Sequence, residues 1–116
     1  MKKIMLLAAA MALVWAGSAQ AHPPSQVKLD YHLGDQMLHV TMKHVTHDPQ
    51  EHRIREIVVF VNGQDVGHFY FVQQTSAQGL EEALPVSAKA GDDIRVKAIC
   101  SKAGVAEAGM TVPSEE

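Results

Sequence analysis

One cysteine and seven histidines are the residues of this 116-residue chain with the most chemistry to offer. A thiolate is a soft ligand and imidazole a borderline one, and together they select transition metals such as iron, copper and zinc. Cys100 has no second cysteine to pair with inside the chain. Three readings of it are open: an inert buried thiol, an intermolecular disulfide, or a metal ligand. Hydrolytic chemistry fits poorly. The chain has no Gly-x-Ser-x-Gly elbow, no phosphate-cradling glycine loop and no His-Glu-x-x-His zinc motif. Cys100 as a nucleophile would need a base and an oxyanion hole, and no signature of either accompanies it.

The elements that must position these residues read as strands. Leu38, Val40 and Met42 alternate with His39, Thr41 and Lys43, the period of a half-buried strand. If the first set faces the core, His44 stands in register with it at the strand's end. By the same alternation Cys100 stands in register with Ile94, Val96 and Ala98. An imidazole and a thiol then point inward from the ends of two strands. His52 precedes the β-branched run that starts at Ile54, after a loop containing Asp48-Pro49. A loop from His44 to His52 can bring both rings to one point.

Further strands are expected over Val27–Tyr31, Val66–Val72, Leu80–Val86 and Val105–Val112. Asn62-Gly63 is a hairpin signal. Pro85 marks its strand as an edge, because proline cannot donate to a ladder. About seven short strands separated by regular turns predict an all-β chain folded as one immunoglobulin-like β-sandwich. His32, His39 and His68 fall on the polar side of their strands and are expected at the surface. Met37, Met42 and Met110 read as gap fillers, and Glu81-Glu82 as an exposed edge.

The N-terminus sets the compartment. Lys2-Lys3, the apolar run Ile4–Ala16 and the small-x-small ending at Ala21 form a secretory signal peptide over residues 1–21. The working domain is then residues 22–116, periplasmic or secreted, with no membrane attachment after cleavage. Removal of two lysines takes the formal charge from −3 to −5, and without a basic cluster a nucleic-acid partner is not expected. Cleavage makes His22 the first residue. Its free α-amine and its imidazole can then chelate one metal, the core of a copper histidine brace. Pro23 lacks an amide proton, which excludes chelation through that nitrogen but not the brace.

Two segments resemble the desulfoferrodoxin and superoxide reductase family. From His44 to Ile57 the chain is similar to the family's iron-binding segment, in which a His-Pro pair is followed by a loop, a second histidine and an Ile-x-x-Ile strand. From Ile94 to Gly104 it is similar to the closing motif, where a strand ends in a cysteine and a glycine follows four residues on. The resemblance implies a mononuclear non-haem iron held by imidazoles and one cysteine thiolate with an open position. It also implies one-electron reduction of superoxide to peroxide, fed by an electron donor that the sequence does not identify. His44, His52 and Cys100 match by position, and His47 competes with His44 for the first place. Ala103 stands where the family carries its last histidine, three residues after the cysteine, and the family's N-terminal Lys-His element has no counterpart. His22 is the candidate replacement ligand. The alternatives are a copper-binding module built on His22 and a metal-free sandwich serving as an interaction module.

Overall fold

The computed structural model describes residues 23–114; the signal-peptide assignment and His22 lie outside them. Seven strands follow one another: β1 Ser25–His32, β2 Met37–Lys43, β3 Ile54–Val61, β4 Gln64–Tyr70, β5 Gly79–Pro85, β6 Asp93–Cys100 and β7 Val105–Thr111. They form two antiparallel sheets, one ordered β1-β2-β5 and the other β4-β3-β6-β7. The chain changes sheet between β2 and β3, between β4 and β5, and between β5 and β6. This three-on-four arrangement is the expected immunoglobulin-like sandwich.

Side-chain alternation builds the core. Leu38, Val40 and Met42 of β2, with Leu80 and Leu84 of neighbouring β5, pack against Ile57 and Val59 of β3 and Ile94, Val96 and Ala98 of β6 in one buried cluster. Each large aliphatic side chain there contributes about 1.5–3 kcal/mol relative to exposure. Tyr31 closes one end of this core. Its hydroxyl donates to the Val86 carbonyl at 2.6 Å and accepts from the Ala88 amide at 3.1 Å, so the sheet-crossing segment after β5 is tied to β1.

The turns follow local chemistry. Asn62 and Gly63 both have positive φ, 51° and 83°, as a type I′ hairpin requires, and they join β3 to β4. The returning strand ends at Tyr70 rather than reaching Val72; the Phe71 amide makes one more bond in the same register, to the Arg55 carbonyl at 3.0 Å, before the chain leaves for the other sheet. Proline-bearing β5 is an edge strand, as its sequence predicts. His32 and His39 are half-buried rather than fully on the surface, since their rings stack at 4.2 Å across β1 and β2.

Candidate metal centre

His44 and Cys100 reach the interior by the alternation already described. His44 is 2% exposed and Cys100 4%. Strand pairing does not stop at the formal end of β2. The His44 amide donates to the Gln78 carbonyl at 2.8 Å and the Thr46 amide to the Ala77 carbonyl at 2.9 Å. This continued ladder keeps His44 in the register of Met42. Gly79 makes it possible: a Cβ at Gly79 would lie 2.1 Å from the Met42 carbonyl oxygen and 3.1 Å from the His44 nitrogen.

His52 is delivered by a loop with its own internal bonding. The Asp48 carboxylate accepts from the amides of Gln50 and Glu51 at 3.1 and 3.2 Å, an Asx turn. Thr46 Oγ1 accepts from the Asp48 amide at 3.1 Å, and the His52 amide donates back to the Asp48 carbonyl at 2.9 Å. The result is one tight turn that ends with His52 at the head of β3.

Cys100 ends β6 opposite Ile54. Its amide donates to the Gly104 carbonyl at 3.0 Å, closing a short loop. Gly104 has a φ of 102°, and a Cβ there would sit 2.9 Å from the Pro23 Cα. Glycine is needed at this position for both reasons. Ser101 sews this loop to the one carrying His52. Its hydroxyl accepts from the Arg53 amide at 3.0 Å and donates to the Glu51 carbonyl at 2.9 Å, while its own amide donates to the Arg53 carbonyl at 2.7 Å. Arg53 in turn donates through Nε to the Phe71 carbonyl at 2.7 Å.

The three side chains converge. One ligand atom each from His44, His52 and Cys100 lies within 4.8 Å of the others. The two rings meet edge to face, 4.9 Å apart and inclined at 87°. A metal bound at about 2.0–2.3 Å by imidazole nitrogen and thiolate sulfur spaces its donors about 3–4.5 Å apart, so the trio is close to a ligating arrangement. The donor set, two imidazoles and a thiol, suits iron, copper or zinc.

His47 is not part of this group. It is exposed, at the bend where the loop leaves the register of β2, so of the two histidines competing for the first place the fold brings His44 inward. Ala103 is exposed as well. His22 lies outside the described residues, but Pro23, bonded to it, is held against Gly104 beside the Cys100 loop.

Two further polar residues, Ser101 and Gln74, shape this end of the sandwich. Ser101 could have been found from its place next to Cys100. Gln74 could not, because it reaches the centre from the crossover between β4 and β5. It is 3% exposed and hydrogen-bonds to the His44 ring.

A second titratable cluster lies between β3 and β4 and has a different character. His68 Nδ1 is 2.7 Å from Glu56 and its Nε2 is 2.6 Å from Asp65. Hydrogen bonding to Glu56 first, and to Asp65 second, holds the His68 pKa above its ordinary value. With a carboxylate on each nitrogen, this ring is a proton-holding clamp between neighbouring strands.

No family model matches the chain, and no curated protein matches it. Among solved structures, the chain aligns with the superoxide reductase (neelaredoxin) from Ignicoccus hospitalis. The two share 20% identity, with 84% of this chain and 85% of that chain covered and a TM-score of 0.43.

Proposed function

We propose that residues 22–116 are an exported metal-binding domain that holds one iron ion through His44, His52 and Cys100 and uses it to reduce superoxide. The observation that carries this reading is the convergence of three donor atoms within 4.8 Å, brought together by three separate elements. Burial of His44 and Cys100 favours it too, since a thiolate kept from bulk water is protected from oxidation to higher acids. Ferrous iron would supply one electron, which with two protons from water converts superoxide to hydrogen peroxide, and an electron donor would restore the ferrous state.

The chain's own residues have defined parts. Cys100 would hold the metal through its sulfur, and a thiolate ligand would raise electron density at the metal, as thiolates do for haem iron. His44 and His52 would hold the metal through their ring nitrogens, and three protein donors would leave room for a further ligand.

Copper bound with the help of His22 is the second reading, and the contact of Pro23 with Gly104 favours it. Export matters most to this second reading, because only cleavage after Ala21 frees the α-amine of His22.

The test is metal analysis of mature protein purified from the periplasm with His22 as its first residue, with its visible spectrum after oxidation. One equivalent of iron, a thiolate-to-ferric band that Cys100→Ser removes, and peroxide formed from superoxide are expected. Copper uptake that survives Cys100→Ser but weakens when one residue is left before His22 would favour the second reading. No metal after anaerobic reconstitution with ferrous iron and then copper refutes both, leaving the sandwich as an interaction module.

A further inference from the structure

Gln74 is the most completely bonded polar side chain at this end of the sandwich. Its Oε1 is 2.5 Å from His44 Nδ1 and accepts from the Ile54 amide at 3.0 Å. Its Nε2 donates to the His44 carbonyl at 3.0 Å and to the Ser76 carbonyl at 3.1 Å. An amide side chain has two acceptor sites and two donor hydrogens, and all four are in use. The Gln74 main chain is held as well, through its amide to the Pro49 carbonyl at 3.1 Å.

This bonding dictates the amide's orientation. Turned over, the NH₂ group would face the Ile54 N–H, and the oxygen would face two carbonyl oxygens. Leaving these buried groups opposed or unpaired costs about 1–3 kcal/mol each. Oε1 must therefore face His44 Nδ1, and because a carbonyl oxygen only accepts, Nδ1 must carry the hydrogen. The lone pair of the neutral ring is then on Nε2.

We infer that Gln74 is a positioning residue that fixes His44 in its Nδ1–H tautomer, so that the metal is bound through Nε2. This deepens the metal-binding reading and rests on it for the ligand role, though the tautomer itself is a property of the metal-free protein. The assignment runs against the intrinsic preference of free histidine, which favours hydrogen on Nε2. A ligating histidine commonly donates its other N–H to an oxygen acceptor, and losing that acceptor typically costs 10–100-fold in metal affinity. Here the acceptor is a side-chain amide locked by backbone groups from two other segments.

The experiment is long-range ¹H–¹⁵N correlation of the histidine rings in full-length mature protein, metal-free and with zinc or ferrous iron. It is run at a pH where the rings are neutral, for the natural sequence, Gln74→Glu and Gln74→Met. Metal-free natural protein should show His44 as the Nδ1–H tautomer, kept by Gln74→Glu, whose carboxylate still accepts at Nδ1 although its second oxygen faces the His44 and Ser76 carbonyls and lowers stability. Gln74→Met should show mixed tautomers and 10–100-fold weaker metal binding, with affinity restored in Gln74→Glu. An Nε2–H tautomer in the metal-free natural protein, or ligation through Nδ1, overturns the inference while leaving metal binding intact. A correct tautomer in a protein that takes up no metal would instead refute the proposed function and leave the inference about the ring standing.

Discussion

Substitution of Gly79 by alanine probes how tightly the two sheet edges hold His44. The added Cβ would meet the Met42 carbonyl oxygen at 2.1 Å, about 1.3 Å short of ordinary contact, with Lys43 Cα and the His44 nitrogen at 3.1 Å. All three neighbours are backbone, so no side chain can swing aside. β5 must move from β2 by roughly an ångström at the point where His44 begins. That displacement stretches the 2.8 Å bond from the His44 amide to the Gln78 carbonyl past useful range. One or two lost hydrogen bonds at about 1 kcal/mol each, with overpacking strain of about 1–3 kcal/mol, predict about 2–5 kcal/mol of destabilisation. A metal site tolerates donor errors of only about 0.2 Å, so affinity should fall by more than stability alone explains. Urea unfolding of the metal-free protein and metal titration of the folded fraction separate the two effects. If Gly79→Ala unfolds within about 0.5 kcal/mol of the natural sequence and binds metal equally well, β5 does not set the position of His44 and the packing argument fails.

Ser101→Ala removes the hydroxyl bonds to Arg53 and Glu51 but keeps the Ser101 amide bond. It should cost about 1–2 kcal/mol in urea unfolding and weaken metal binding while Cys100 stays in place. Unchanged affinity would mean that the two loops hold their spacing without it. His68→Gln tests the clamp between β3 and β4. Its raised pKa means that the folded state holds the proton more tightly than the unfolded chain. The stabilisation is therefore fully present below the ordinary value of 6.5 and is lost as pH rises through the higher folded value. The stability gap between the natural protein and His68→Gln should be widest on the acid side and narrow towards alkaline pH, as read from urea midpoints across that range. A gap that widens with pH would reverse the assigned cause.

The two clusters of histidine sit in different surroundings. His68 is surrounded by carboxylates that favour its charged form. His44 gives one ring nitrogen to an amide oxygen and lies beside His52 and Cys100, with no carboxylate in that group. Residue type alone does not separate these roles; the neighbours do.

Much of this was legible in the chain itself. Alternation of apolar and polar residues is a local property, because successive side chains of a strand must point to opposite faces. The strands and the inward aim of His44 and Cys100 follow from it, while the β3–β4 turn follows from Asn62-Gly63 and the edge position of β5 from Pro85. Other features depend on contacts between distant residues. Gln74 meets a histidine thirty positions away and Ser101 a loop fifty positions away, and no local pattern encodes such meetings. The pairing of the chain beyond Lys43 with Gln78 and Ala77 is also tertiary, and it holds His44 on the buried side while His47 stays exposed. The sequence by itself determined which side chains face inward. Only the packing of two sheets determined that the inward-facing residues from three elements end at one point, because that requires the registers of β2, β3 and β6 to be fixed against one another at the same end of the sandwich.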